Sequence, residues 1–266
     1  MRKLVTLTTD FGTRDSYVAQ LKGVLYAQGP RDLEVVDLSH EIAPQQVLEA
    51  ALFVRAVVPR FAPGTIHIVV VDPGVGSARR ALACECSGQL LIGPDNGALS
   101  LALTESDATF ALCPERFAGP DVSATFHGRD VFAPAAARLA HGALPAQLGE
   151  RVDQIERITC PAVEPRSSEL RGQVLHVDRF GNLISNISRA DLAAWAAADS
   201  RPQLRVRVGG SAPLSIVRTY AEVAVGSMVA LFGSSDLLEV AVTNGSAARA
   251  LGVARGAELT VTDHAG

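Results

Sequence analysis

The chain has 266 residues, of which 48% are hydrophobic, enough to bury the core of one large domain or of two smaller ones. Its formal net charge is −4 and its arginines are scattered, so it lacks the basic surface that nucleic-acid binding requires. No apolar run is long enough to span a bilayer, and the N-terminal segment MRKLVTLTTD enters a strand without a signal-peptide pattern. We expect a soluble cytoplasmic protein with neither nucleic acid nor membrane as a partner.

The first part of the chain alternates strands with helices. Strands are predicted at residues 5–9 and 34–38, and amphipathic helices at about 15–28 and 44–59. The first strand ends in Asp10, before a glycine turn. Strand, helix, strand, helix, strand is the pattern of a doubly wound α/β domain with a mostly parallel sheet.

The most informative stretch is IHIVVVDPGVGSARR, from Ile66 to Arg80. Its apolar segment, rich in β-branched residues, predicts a central strand that delivers Asp72 to a loop, and ligands bind beyond the carboxyl ends of such strands. Gly74 and Gly76 are expected to allow close backbone approach, and Arg79 is far enough along for its guanidinium to return to Asp72. The alternative is an ordinary Pro-Gly turn with solvated charges.

Further polar groups follow at the same predicted sheet edge. A hairpin is predicted at residues 81–94, a short helix at 98–103, a strand at 109–113 and a helix at about 131–141. The segment ATFHGRD places His127 at the entrance of the last helix. Asp72, Arg79 and His127 could therefore converge, although a single His or Arg is more often structural than catalytic.

The pattern changes in the second part of the chain. Residues 147–166 lose periodicity and are predicted to form a linker. Beyond about Arg171, short strands and one small helix at about 191–197 predict an all-β barrel or sandwich. The predicted domains are residues 1–160 and 170–266. Within the second domain, the segment from Asp178 to Asn182 is predicted to form either a hairpin turn or a binding loop.

The four cysteines do not predict a metal site. None of their spacings matches a zinc pattern, and a chain of this size needs no disulfides. We interpret them as reduced structural thiols: Cys84, Cys86, Cys113 and Cys160.

Six ordered motifs together resemble the S-adenosyl-L-methionine (SAM) hydroxide adenosyltransferases, which are adenosine-forming SAM hydrolases related to the SAM-dependent fluorinase and chlorinase. The resemblance runs from about Val5 to the C-terminus. It implies an N-terminal α/β domain, a C-terminal β domain, no cofactor because SAM is the substrate, and a homotrimer with active sites at subunit interfaces. The motifs are TTDFG, VDPGVGSARR, GPDNG, TFHGRD, VDRFGNLISNI and GSSDLLEVAVTNG.

The resemblance also implies residue roles. Asp72, Arg79 and His127 match the family's triad that holds the attacking water or hydroxide, and which residue takes the proton stays open. The remaining matches are expected to bind substrate. Asp10 is expected to bind the ribose, Asp178 and Asn182 the methionine amino end and nearby polar atoms, and Ser234 the carboxylate. Phe180 is expected to provide a packing surface, Tyr220 to lie beside the adenine ring, and the backbone from Val242 to Asn244 to contact the adenine edge, while Phe126 is expected to bind substrate without a more specific role. GSSD departs from the Asn-Ser-Arg-Gly run of the halogenases, so an arginine contact is expected to be missing.

The sequence leaves three alternatives to metal-free hydrolysis of SAM. A halogenase would hold an anion where Asp72 places a repelling carboxylate, worth roughly 4 kcal/mol at about 4 Å and an effective dielectric of about 20. A non-catalytic SAM or adenosine binding module would bind without turnover. A metal-dependent hydrolase would use Asp10, Asp72, His127 and Asp178 as ligands, but no metal-binding spacing supports it. Hydrolysis of SAM to adenosine and L-methionine is the preferred prediction.

Overall fold

The computed structural model of the protein describes residues 3–198 and 203–263. The chain divides into two compact units, Met1–Ile158 and Thr159–Gly266. The predicted fold class is confirmed, since the first unit is a mixed α/β domain and the second a β-barrel.

The first unit is built on a seven-stranded sheet in the order β2-β1-β3-β5-β4-β6-β7. The pairs β1–β2, β1–β3 and β3–β5 are parallel, whereas β5–β4, β4–β6 and β6–β7 are antiparallel. The parallel pairs are thus confined to one half of the sheet, which contains β3. The strands are β1 Lys3–Thr9, β2 Leu33–Ser39, β3 Ile66–Val70, β4 Ala81–Cys86, β5 Gln89–Pro94, β6 Thr109–Leu112 and β7 Gly149–Val152.

Helices cover both faces of this sheet, which explains why β3 is buried at every position. Ile66, Ile68 and Val70 pack into one core cluster, whereas Val69 and Val71 pack into another. Successive side chains of a strand point to opposite faces, so a strand covered on both sides is buried throughout, and the polar side chain of β3, His67, is hydrogen-bonded to Thr6 and Gln89. The helices are α1 Tyr17–Gln28, α2 Val47–Val57, α3 Ala133–Ala140 and α4 Pro145–Leu148.

Two predicted helices differ from the structure in type. The predicted helix at 98–103 is a 3₁₀ turn, Ser100–Ala102. The predicted helix at about 131–141 begins earlier, as a π-helical turn over Gly128–Phe132 that continues into α3. Such turns inside helices are frequent at functional sites, and this one starts directly after His127.

The predicted linker at 147–166 is wrong in part. Gly149–Val152 forms β7, an edge strand paired with β6. A two-residue strand, β8 Glu164–Pro165, pairs with β9. Both are too short to show a periodicity, which is why the sequence pattern missed them.

The second unit is a closed barrel of seven strands in the order β10-β14-β13-β12-β11-β15-β9, with β9 pairing back to β10 and β8 added beside β9. Its core includes Val174, Leu183, Val206, Val240 and Leu259. The elements are β9 Glu169–Val177, β10 Leu183–Ser188, α5 Arg189–Ala198, β11 Leu204–Val208, β12 Leu214–Val217, β13 Met228–Phe232, β14 Leu237–Val242, α6 Ala247–Leu251 and β15 Glu258–Asp263.

The cysteines are all free thiols. Burial raises the pKa of Cys84 to about 12, so this thiol stays protonated and unreactive near neutral pH. Within the described ranges, no helix is long and apolar enough to cross a membrane.

Candidate active site

The Asp72 loop joins two strands that are not neighbours in the sheet. It leaves the carboxyl end of β3 and enters β4, and β5 lies between them. Gly76 has a φ of 79°, and a Cβ there would lie 2.5 Å from the carbonyl oxygen of Ala124. Gly76 therefore lets the loop approach the segment that precedes His127. Gly74 needs no such freedom, because a Cβ there would make only ordinary contacts.

Arg79 returns to Asp72 as the sequence predicts. Its Nε donates to Asp72 Oδ1 at 3.0 Å, and its Nη2 donates to Asp72 Oδ2 in a short contact. The side chains of Arg79 and Asp72 are only 9% and 5% exposed. A two-bond guanidinium–carboxylate pair of this kind fixes both groups in one plane.

His127 completes this cluster. The Nη2 group of Arg79 lies 2.8 Å from His127 Nδ1. Because a guanidinium has only donors, Nδ1 must accept, and the proton of the neutral imidazole must then lie on Nε2. Burial and the nearby charge of Arg79 lower the pKa of His127, and the carboxylates of Asp72 and Asp130 oppose that effect. The structure thus brings together the three residues predicted to be catalytic, with a neutral histidine.

Asp10 lies at the carboxyl end of β1, the parallel neighbour of β3. Its Oδ2 accepts from the backbone N–H of Gln45 at 2.8 Å, and Gln45 has a φ of 64°. One carboxylate oxygen is thereby anchored to the loop before α2. The ribose role of Asp10 stays a prediction.

Phe126 packs into an aromatic cluster. Its ring centroid lies 5.8 Å from that of Phe11 and 5.3 Å from that of Tyr17, and the Arg129 guanidinium lies 5.1 Å from it. The Phe126 side chain is buried. Its packing fixes the segment that carries His127, and its predicted contact with substrate stays a prediction.

In the barrel, Asp178 organises the turn between β9 and β10. Asp178 Oδ1 accepts from the backbone N–H groups of Phe180 and Asn182, and Oδ2 accepts from the Asn182 amide, each at 2.9 Å. Gly181 must be glycine, because a Cβ would lie 2.0 Å from Ser246 Oγ. The turn leaves Phe180 74% exposed while Asn182 is buried. The hairpin-turn interpretation is therefore correct for the backbone, and the binding roles of Asp178, Phe180 and Asn182 are not excluded by it.

Tyr220 contacts a residue that the sequence analysis did not single out. Its hydroxyl donates to Glu239 Oε1 in a short contact, and Glu239 is only 5% exposed. Burial raises the pKa of Glu239; the Tyr220 hydrogen bond opposes this, and the negative charge of Asp178 adds to it. Asp178, Tyr220 and Glu239 therefore belong to one polar cluster. An acidic residue inside the apolar strand LLEVAV was the signal that could have identified it.

The remaining predicted contacts lie in two barrel loops. Ser234 is exposed in the turn between β13 and β14. After β14, the N–H of Gly245 donates to the Val242 carbonyl at 2.9 Å, which closes a turn around Asn244 with a φ of 56°. Between Val242 and Asn244, the Thr243 hydroxyl is buried and has no hydrogen-bond partner in the described part of the chain. The adenine role of the Val242–Asn244 backbone and the carboxylate role of Ser234 stay predictions.

The acids proposed as metal ligands in one alternative do not form a cage. Among residues 3–198 and 203–263, no group of three or more His, Cys, Asp or Glu side chains could hold a metal ion. Both oxygens of Asp72 face Arg79 instead.

Two family models match the chain in sequence order. The SAM hydroxide adenosyltransferase N-terminal domain matches residues 5–149, and the C-terminal domain of the same family matches residues 172–260. The chain belongs to the SAM hydroxide adenosyltransferase family. The resemblance inferred from six motifs is thus confirmed.

Similar proteins agree with this assignment. The (R)-S-adenosyl-L-methionine hydrolase of Thermus thermophilus is 42% identical over 261 residues, which cover 95% of this chain and 96% of that protein. A fluorinase from Actinoplanes is 28% identical over 292 residues, covering 97% of each. A crystal structure of an uncharacterized conserved protein from Thermotoga maritima aligns with a TM-score of 0.86 at 30% identity, covering 97% of this chain and 99% of that one. The chain is therefore more similar to this hydrolase than to this halogenase.

Proposed function

We propose that the protein hydrolyses SAM to adenosine and L-methionine. Water attacks C5′ of SAM, the new C5′–O bond forms as the C5′–S bond breaks, and the sulfur leaves with the electron pair. One water proton is released. The leaving group is a neutral thioether expelled from a sulfonium cation, so no general acid is needed, and the work of the enzyme is to hold and deprotonate water.

The hydrogen-bonding pattern of the triad carries this proposal. Arg79 uses Nε and Nη2 on Asp72 and His127, and Nη1 donates to the Arg80 carbonyl at 3.3 Å. The triad therefore presents the spare lone pairs of the Asp72 carboxylate as acceptors and the Nε2–H of His127 as a donor. A water molecule can donate to the first and accept from the second.

The same geometry indicates the path of the proton. His127 Nδ1 is occupied by Arg79 and Nε2 carries the proton, so neutral His127 has no free basic nitrogen in this arrangement. The water becomes strongly acidic as its oxygen bonds to C5′, so the weakly basic carboxylate of Asp72 is a sufficient acceptor. We assign proton acceptance to Asp72 and orientation of the water to His127.

This pattern also disfavours a halide nucleophile, for a reason different from the one predicted from sequence. The negative charge of Asp72 is paired with Arg79. Its repulsion of a halide ion is therefore weaker than that of an isolated carboxylate. A halide ion cannot donate a hydrogen bond, and the Asp72 oxygens offer only acceptors. Bound halide would forgo the hydrogen bond that water donates to this carboxylate, worth about 1.5–3 kcal/mol for a charged acceptor.

The finer parts of the account are proposals supported by the resemblance. SAM is the substrate and no cofactor is required. Asp10 binds the ribose, the Asp178 turn and Ser234 bind the methionine end, and Tyr220 and the Val242–Asn244 turn bind adenine. We further propose a homotrimer with active sites at subunit interfaces, in the cytoplasm. Sedimentation would contradict the trimer if it showed a stable, active monomer.

Product analysis tests the reaction. The sulfonium has three attackable carbons: attack at C5′ gives adenosine and methionine, attack at the methyl gives S-adenosylhomocysteine, and attack at the methionine Cγ gives methylthioadenosine. We expect adenosine and methionine in equal amounts, whether chloride, fluoride or neither is added. A 5′-halo-adenosine product would support the halogenase alternative. Bound but unreacted SAM would support the binding module.

A further inference from the structure

The GPDNG motif has no role in the proposed chemistry, yet it lies beside the Asp72 loop. Pro94 ends β5, and β5 lies between β3 and β4 in the sheet. The loop from Val71 to Arg80 therefore passes across the carboxyl end of β5. Asp95 and Asn96 follow directly at that end, within reach of both ends of the loop.

Asn96 binds the first end of the loop. Its Nδ2 donates to the Val71 carbonyl at 2.9 Å, and its Oδ1 accepts from the Ala98 N–H at 3.1 Å. Val71 is fully buried and directly precedes Asp72. The second contact fixes the Asn96 amide, so the donor is held toward the peptide that sets the position of Asp72.

Asp95 binds the second end of the loop. Its Oδ2 accepts from Arg80 Nε at 2.7 Å, and its backbone N–H donates to the Arg80 carbonyl at 2.9 Å. The same Arg80 carbonyl accepts from Arg79 Nη1. Asp95 therefore holds a carbonyl group that itself orients the Arg79 guanidinium.

Asp95 also connects the loop to the last segment of the first unit. Its Oδ1 accepts from the Glu156 N–H at 2.8 Å, while Arg80 Nη2 donates to the Gln154 carbonyl at 2.7 Å. The Asp95 carboxylate is buried, and each of its oxygens accepts from an N–H donor. A buried carboxylate satisfied in this way is a rigid anchor.

We propose that Asp95 and Asn96 are positioning residues that hold the two ends of the Asp72–Arg79 loop and thereby set the geometry of the triad. Their effect on turnover rests on the proposed hydrolase activity. Their effect on triad geometry does not, and it can be measured on the free protein.

The test compares Asn96→Ala with Gln89→Ala. Gln89 is a matched control at the other end of β5, because its amide also donates to backbone carbonyls, those of Val58 and Phe61, at 3.2 and 3.1 Å. Both substitutions remove buried amide hydrogen bonds and are expected to lower stability. Only Asn96→Ala should loosen the loop.

Two readouts separate positioning from stability. We expect kcat of Asn96→Ala to fall about 10-fold to 100-fold with little change in KM, since small displacements of reacting groups have effects of that size, whereas Gln89→Ala keeps the wild-type kcat. Histidine NMR titration should show the pKa of His127 rising toward 6.5 in Asn96→Ala, because Arg79, whose charge lowers it, moves away. Asp72 and Asp130, the other charges near His127, raise its pKa. Asp72 moves with the same loop, but its effect is smaller than that of Arg79, so the net change is still a rise.

The proposal is overturned if Asn96→Ala loses stability like Gln89→Ala but keeps the wild-type kcat and His127 pKa. If Asn96→Ala does not fold, Asn96→Ser replaces it, since serine can still accept from Ala98 but is too short to reach Val71. A wild-type protein that does not turn over SAM would remove the proposed function, while the NMR titration would still decide the positioning role.

Discussion

Replacing Asp72 with asparagine tests the assignment of the proton acceptor. The substitution keeps the size of the side chain and one oxygen for Arg79, but it removes the carboxylate that accepts the proton of water. Loss of a positioned general base lowers turnover by typically about 10²–10⁴-fold. We expect kcat to fall within that range and KM for SAM to stay nearly unchanged, because Asp72 faces the water and not the bulk of the substrate.

The stability effect is separable from the catalytic one. At an effective dielectric of about 20, charges about 4 Å apart attract by roughly 4 kcal/mol, and removing one partner of a buried pair costs up to about 3–5 kcal/mol. The asparagine oxygen still accepts from Arg79, so we expect Asp72→Asn to lose less than that. Urea unfolding would measure the loss beside steady-state SAM turnover.

Glu150→Gln is the matched control. It removes an ion pair with Arg116, at 3.1 Å, from the same domain, where both side chains are substantially exposed. Such pairs contribute about 0–1 kcal/mol, so stability and turnover should both stay near wild type. If Asp72→Asn kept kcat within about threefold of wild type, a change of less than about 1 kcal/mol in the barrier, Asp72 could not be the proton acceptor.

Four further predictions follow from the described contacts. Asp10→Ala should raise KM by about 10-fold to 100-fold, because unsatisfied buried hydroxyls cost about 1–3 kcal/mol; an unchanged KM would remove the ribose role. Tyr220→Phe should leave the buried Glu239 carboxylate without its donor, raise the pKa of Glu239 further and lower stability, and an unchanged urea midpoint would contradict this. Burial lowers the pKa values of His67 and His127 from 6.5 in the folded protein, so their contribution to the free energy of unfolding should be fully present above that pH and be lost as the pH falls below it; a urea midpoint that does not fall below pH 6.5 would be inconsistent with two neutral histidines. EDTA should leave SAM turnover unchanged, and loss of activity restored by a divalent ion would refute metal-free hydrolysis.

The sequence predicted the α/β and β-barrel architecture because the relevant patterns are local. The largely apolar, β-branched sequence of β3 indicated a strand buried on both faces, and the alternating runs after Arg171 indicated short strands. The split of the first sheet into parallel and antiparallel halves was not predictable in the same way, because it depends on which strands become neighbours. The two-residue β8 and the four-residue β7 are stabilised by their partners and not by their own sequence.

The candidate site, like the fold, was predictable from the sequence only where its contacts are local. The spacing of Asp72 and Arg79 was enough to predict their pairing, since both lie on one loop. His127 lies 48 positions beyond Arg79, and only the packing of the first unit determines that its Nδ1 faces Arg79. That contact fixes the tautomer, on which the proposal of Asp72 as proton acceptor rests. Glu239 was missed because its partner Tyr220 lies on a different segment of the barrel.

The most direct test of the central claim is hydrolysis of SAM in ¹⁸O-labelled water, followed by mass spectrometry of both products. Attack of water at C5′ predicts one ¹⁸O atom in the 5′-hydroxyl of adenosine and none in methionine. Adenosine that forms without the label, or label that appears in the methionine fragment, would contradict direct displacement at C5′ by a water molecule held at Asp72 and His127.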